Sequence, residues 1–305
     1  SSSDALSEYL SNNVQVLDAV IGGAFWREWP GLDLLREDLA IILRRETDYE
    51  SQLNASRRWG REWHFRIGVH LLRGVITPEE AGTQYGDLAL AMLKELWCLV
   101  NTQFAKKHGP APGRGSALIG LGSLGIKKLH PKSDLDLILI YDAAGVEMSS
   151  GEKSIESRSY YARLTKALVA AISAPMNEKS LFHVDMRLRP SGNQGPVATS
   201  LQAFKHYQTS EAWVWEHLAL VNAIIVAGPE ILQTDISRFC ESLKTLRSEK
   251  NVMAGLSIMR NRLFSPSSIN KKWSMKLGQG KLQDIELASQ MGIILINEGV
   301  SGVHN

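Results

Sequence analysis

The stretch from Ser116 to Asp142 constrains the fold more than any other part of the chain. A short apolar run, Ser116-Ala117-Leu118-Ile119, leads into a glycine-rich turn, Gly120-Leu121-Gly122-Ser123-Leu124-Gly125. After Ile126 to Ser133 comes a second apolar run, opened by two acids one residue apart: Asp134-Leu135-Asp136-Leu137-Ile138-Leu139-Ile140-Tyr141-Asp142. In a strand, alternation puts Asp134 and Asp136 on one face and points Leu135 and Leu137 into a core. Carboxylates about 6 to 7 Å apart on one rigid face suit shared divalent cations, and magnesium prefers carboxylates plus substrate phosphates to an all-protein cage. The glycine turn would offer bare backbone N–H groups, and a short helix start its positive end, to a triphosphate.

Gly120, Gly122 and Gly125 also spell the GxGxxG of a dinucleotide-binding turn, with Asp142 at the expected acidic position. That fold needs a crossover helix, and a parallel connection takes about a dozen residues or more. Ile126 to Ser133 is too short and carries Pro131, so one or two helical turns fit there and the dinucleotide reading is set aside.

A lone Asp-x-Asp is most simply a pair of exposed acids on an edge strand; the company it keeps changes that. Leu181 to Pro190 reads as another strand, with Asp185, Arg187 and Arg189 on one face. A carboxylate beside two arginines suits a metal and a phosphate chain together, because the guanidinium is a planar fork matched to phosphate.

The glycine turn, Ser133-Asp134-Leu135-Asp136-Leu137 and the third strand acid resemble the DNA polymerase β-like nucleotidyltransferase superfamily. Val184-Asp185-Met186-Arg187-Leu188-Arg189-Pro190-Ser191-Gly192, running on to Pro196, and Glu211-Ala212-Trp213-Val214-Trp215-Glu216-His217 resemble, more narrowly, the glutamine synthetase adenylyltransferase family. Within that family the wording is similar to the C-terminal, AMP-attaching half, over about Arg57 to Gln290.

The resemblance implies an α+β fold: a polymerase β-like core, a mixed sheet with helices, over residues 113–227. All-helical regions would flank it over 1–112 and 228–305, the latter truncated, since the family's helical region continues further. It also implies transfer of AMP from ATP to a tyrosine of glutamine synthetase. Asp134, Asp136 and Asp185 would hold two magnesium ions about 3.5 to 4 Å apart. Asp185 would help to take the hydroxyl proton, Gly122 and Ser123 would bind phosphate oxygens, and Arg187 or Arg189 would neutralise the departing pyrophosphate. Glu216 joins the nucleotide-binding set through the resemblance alone. Glutamine synthetase is the expected partner, with room for a PII-type nitrogen-signalling protein.

The chain departs from the family wording at Ser123, at Lys128 where an acid is expected, and at Asn222 and Ile224 where arginines usually follow the tryptophan helix. Losing two charge-assisted contacts would weaken ATP or substrate binding by about a few kcal/mol. The competing reading is therefore a catalytically weak module that binds glutamine synthetase or a nitrogen-signalling protein without efficient transfer. A nucleic-acid nucleotidyltransferase would need a basic groove, which a formal net charge of +2 does not announce.

Leucines and isoleucines at three- and four-residue spacing predict helices over Leu6 to Ile21 and Leu34 to Leu43, and a third runs through Trp59, Trp63, Ile67 and Leu71. Thr77-Pro78-Glu79-Glu80 is a capping box opening a helix that stops near His108-Gly109. Tryptophans on these helices are expected to pack rather than to stack bases. Arg57, Arg58, Arg61 and Arg66 read as a solvated face, with a docking surface for an acidic partner as the alternative. Ile155 to Ala174, Leu201 to Tyr207 and Glu211 to Val226 read as further helices, the last with a core stripe of Trp213, His217, Leu220 and Ile224. Asp284, in a glycine-rich segment resembling one in the family, is as well explained by capping as by function. Two cysteines without ligand spacing suit a reducing cytosol, no apolar run reaches the roughly 20 residues of a membrane span, and the polar Ser1-Ser2-Ser3-Asp4 opening is unlike a signal peptide. A cytoplasmic location is expected.

Overall fold

The computed structural model describes residues 24–173 and 181–243, with scattered positions between 254 and 292. The helix expected over Leu6 to Ile21 lies outside the described residues, as does most of the chain beyond Leu243.

Three helices come first: α1 (Leu32–Arg45), α2 (Tyr49–Leu72) and α3 (Pro78–His108). The start of α3 is the predicted capping box, with Thr77 Oγ1 accepting the Glu80 N–H at 3.2 Å and Glu80 Oε2 accepting the Thr77 N–H at 2.7 Å. It ends at Gly109, whose φ of +82° a side chain would strain. The tryptophans pack as expected. Trp59 donates to Asp38 at 2.7 Å, Trp29 to Asp87 at 3.0 Å, and Trp63 lies edge-on to both rings. The basic cluster is less solvated than predicted. Arg66 is buried, gives its guanidinium to the Arg27 carbonyl and lies over the Trp63 ring, while Arg57 reaches the Ala171 carbonyl at 3.3 Å. These two cations clamp backbone, which their i, i+4 spacing could not reveal.

The sheet follows. Its strands are β1 (Gly115–Gly120), β2 (Leu135–Asp142), β3 (Val184–Asp185), β4 (Thr199–Ser200) and β5 (Ile224–Ala227). Between them come α4 (Gly122–Gly125), α5 (Ser157–Ser173), α6 (Leu201–Ser210) and α7 (Val214–Val221), and α8 (Glu230–Leu243) follows β5. The spatial order is β3-β2-β1-β5, with β4 also on β2. β1 is antiparallel to both β2 and β5, whereas β3 and β4 run parallel to β2, β3 at its start and β4 near its end. The sheet is mixed, as predicted. The antiparallel β1–β2 pair excludes the dinucleotide motif, whose first two strands must be parallel. Asp142 instead binds Arg114 at 2.9 Å, and Arg114 reaches Asp235 of α8 at 2.5 Å.

Both faces of the sheet are covered, which explains why β2 is a nearly unbroken apolar run. Leu135, Leu137, Leu139 and Tyr141 join α1, α3 and α5 in one core, while Ile138 and Ile140 join Ala117, Ile119 and residues of α6, α7 and α8 in another.

Two expectations are corrected. The helix predicted to continue to Val226 stops at Val221, and residues 224–227 form β5 against β1. Ile224-Ile225-Val226 is β-branched and fits a pleated surface, and pairing with the free edge of β1 outweighs helical spacing. The strand predicted over Leu181 to Pro190 shrinks to Val184–Asp185: β2 begins only at Leu135, which limits the strand at its start, and the chain turns away soon after Asp185.

Candidate nucleotide and metal site

The glycine turn folds as α4, a single helical turn that begins where β1 ends. Leu121 N–H donates to the Asp136 carbonyl at 2.9 Å, tying the turn to β2. The first N–H groups of a helix have no intrahelical acceptor, and here they belong to Gly122 and Ser123. Gly122 has φ +55°, and a Cβ placed on it would collide with Asp136 Oδ2. Its missing side chain therefore lets backbone and carboxylate meet face to face. Gly125 is bare for a different reason: a Cβ there would enter the carbonyl of Asn222 at the end of α7.

Asp136 and Asp185 are register partners on the parallel pair β2–β3, so their side chains leave the same face of neighbouring strands, about 4.8 Å apart. Asp134 is exposed and lies one residue before β2, outside the ladder. Arg187 holds Asp185 with Nη2 at 2.5 Å from Oδ2 and Nε at 3.0 and 2.8 Å from the two oxygens, and its N–H donates to Oδ1 at 2.8 Å. These hydrogen bonds keep the Asp185 carboxyl below the usual carboxylate range. Asp185, and more weakly Asp136 and Asp134, push the Arg187 guanidinium up, so all three acids lie within the field of one cation.

The remaining predicted residues have structural work. Asp185, Arg187 and Arg189 do not share a strand face, since the last two sit in turns. Arg189 is buried and staples its own loop, donating to the Met186 carbonyl at 2.6 Å and the Gly195 carbonyl at 3.4 Å. Glu216 is buried too. Its Oε1 accepts from Tyr207 Oη at 2.8 Å and its Oε2 from the Trp213 N–H at 2.8 Å. Burial and the Glu216 carboxylate push the Tyr207 hydroxyl up to about 12. His217 meets the Gln208 carbonyl at 2.8 Å. The predicted stripe is broken: Trp213 is half exposed before α7 and Ile224 is in β5. Asp284 closes its own glycine turn by accepting the Gly280 N–H at 2.8 Å, and Leu287 just beyond packs on Val214 and Leu218 of α7.

Sequence reasoning missed Tyr207 and the helical residues that hold the connection to Asp134. Gly82 and Gly86 were the available signal, because paired glycines inside a helix mark close backbone approach.

Among the described residues no three His, Cys, Asp or Glu side chains form a ready metal cage. The donors nonetheless fit magnesium by chemistry. They are hard carboxylate oxygens beside free amides, and that ion completes its shell with phosphates and water. No described helix is long and apolar enough to cross a membrane.

A mixed sheet of five strands with helices on both faces is consistent with the core of a nucleotidyltransferase. The chain belongs to the glutamate-ammonia ligase adenylyltransferase family, whose model matches residues 1–239. It is 37% identical over 296 residues to the bifunctional glutamine synthetase adenylyltransferase/adenylyl-removing enzyme of Brucella suis biovar 1 (strain 1330), covering 96% of this chain and 30% of that protein. Enzymes of the same name match from Mesorhizobium japonicum, 37% identical over 291 residues (95% of this chain, 30% of that protein), and Rhodopseudomonas palustris (strain ATCC BAA-98 / CGA009), 34% identical over 287 residues (93% and 29%). The chain spans about 30% of the length of the curated relatives it matches.

Proposed function

We propose that this chain attaches AMP from ATP to a tyrosine of glutamine synthetase, and that it is the attaching unit of a longer enzyme. The observation that carries the reading is the in-register pair Asp136 and Asp185, with Asp136 set against the bare backbone of Gly122. Residues 1–112, 113–227 and 228–305 serve as helical region, catalytic core and C-terminal helical region. A PII-type signalling protein is a second candidate partner, nucleic acid is not one, and the setting is the cytoplasm.

The amides of Gly122 and Ser123 receive phosphate oxygens. The tyrosine oxygen attacks the α-phosphorus as the bond to pyrophosphate breaks, and the leaving group departs with that electron pair. Asp185, ionised under Arg187, accepts the phenolic proton once the guanidinium turns to the pyrophosphate and the carboxylate regains basicity. Magnesium on Asp134, Asp136 and Asp185 would supply charge neutralisation and activation of the hydroxyl. Arg189 and Glu216 act at one remove, by holding the loop after Asp185 and the start of α7.

One observation favours a second reading, the weakly catalytic regulatory module. Asn222 and Ile224, where the family wording has arginines, flank the glycine turn: the Asn222 carbonyl touches Gly125 and Ile224 pairs with Gly120. Transfer of label from α-labelled ATP to purified glutamine synthetase with magnesium decides between them. Label on tyrosine that disappears in an Asp134→Asn, Asp136→Asn double variant supports the transferase. Bound nucleotide or target without label supports the module.

A further inference from the structure

Gly82 and Gly86 lie one turn apart in α3, where alanine would make a more stable helix. The connection from the glycine turn to Asp134 rests on that face. A Cβ on Gly86 would run into the backbone carbonyl of Lys127, a residue held at φ +54°. Leu129, its side chain buried, donates its N–H to the Gly82 carbonyl at 3.0 Å. Two residues on, His64 of α2 gives Nε2–H to the Pro131 carbonyl at 3.2 Å while its ring packs on Tyr85, the neighbour of Gly86, at 4.7 Å between centroids. His130 and Ser133 then close a turn, with the Ser133 N–H on the His130 carbonyl at 3.0 Å and the His130 N–H on Ser133 Oγ at 3.0 Å. Asp134 follows, exposed and ahead of the β2 ladder, which begins with the Leu135 N–H on the His183 carbonyl at 2.8 Å.

We propose that Gly86 and His64 are positioning residues: α2 and α3 form a mould for residues 127–133, and that mould sets where Asp134 stands relative to Gly122. The inference rests on reading Asp134 as a carboxylate of the nucleotide and metal site. Neither residue touches ligand. Each acts through backbone carbonyls of the connection, so the helical region helps to build the site that the core displays.

Two pairs of variants test this in the full chain. Gly82→Ala and Gly86→Ala make the same gain in helix propensity, but the Gly82 Cβ would meet the Leu129 carbonyl at an ordinary 3.5 Å while the Gly86 Cβ has no room. Titration calorimetry with α,β-methylene-ATP and magnesium should show Gly86→Ala weakened about tenfold, the scale of one contact to a charged group, and Gly82→Ala at the wild-type value. Hydrogen exchange of residues 127–136 should rise in Gly86→Ala alone. His64→Ala should bind more weakly than His64→Gln, which keeps an N–H donor, at matched melting temperatures. This second pair stands if Gly86→Ala fails to fold. Equal affinity within both pairs, with unchanged exchange, overturns the proposal. Asp134→Asn run alongside separates the two layers: if it binds as wild type does, the site assignment itself is overturned.

Discussion

At the residue scale the site is a matter of which charges are already spoken for. Asp185 has both oxygens on Arg187, Glu216 has both of its oxygens on Tyr207 and the start of α7, and Arg189 gives Nε and Nη1 to carbonyls of its own loop. Arg187, with 71% of its side chain exposed, can change partner with little rearrangement. His64 carries the clearest pH consequence. Burial pushes its ring from the ordinary 6.5 down to about 4, so between those values the unfolded chain binds a proton that the folded one rejects. Stability is unaffected by this group above pH 6.5, falls as pH drops from 6.5 toward 4, and is no longer altered by it below. The melting temperature should follow that slope, and His64→Gln should flatten it. Part will remain, since burial also pushes the His70 ring down, outweighing the hydrogen bond to the Phe25 carbonyl that pulls it up.

Elements here are legible where they carry their own punctuation. The start of α3 was readable to the residue because Thr77, Pro78 and Glu80 satisfy helix-end donors locally. Thr77→Ala should lower unfolding free energy by about 1 kcal/mol, read from the urea midpoint with unchanged slope; no change would mean the end of α3 is held by packing alone. β5 and β3 were not readable to the same degree. Whether Ile224 to Ala227 is the end of a helix or a strand depends on β1 having an open edge, and where β3 starts depends on where β2 starts. Arg189 illustrates the same limit for a site residue: its spacing from Asp185 suggested a shared strand face, but the chain turns between them.

For the whole molecule, helical region and sheet share one apolar cluster running from Leu35 and Leu39 of α1 through α3 to β2 and α5. Leu39, fully buried, belongs to the helices by sequence and to the common core by packing. Leu39→Ala should cost about 2 to 5 kcal/mol, and far-ultraviolet circular dichroism and tryptophan fluorescence should shift together. Two separated transitions would show instead that the helices and sheet unfold independently.

The sequence by itself determined the capped start of α3, the apolar run of β2 and the short helix start in the glycine turn, and it singled out the acids Asp134, Asp136 and Asp185 as candidates. Each follows from spacing along a few neighbouring residues. Tertiary structure alone decided that β3 pairs in register with β2 so that Asp136 and Asp185 stand side by side, that β5 completes the sheet, and that α2 and α3 cradle the connection to Asp134. Those outcomes depend on which distant backbone atoms meet, and local periodicity carries no record of such meetings beyond a glycine left where no side chain fits.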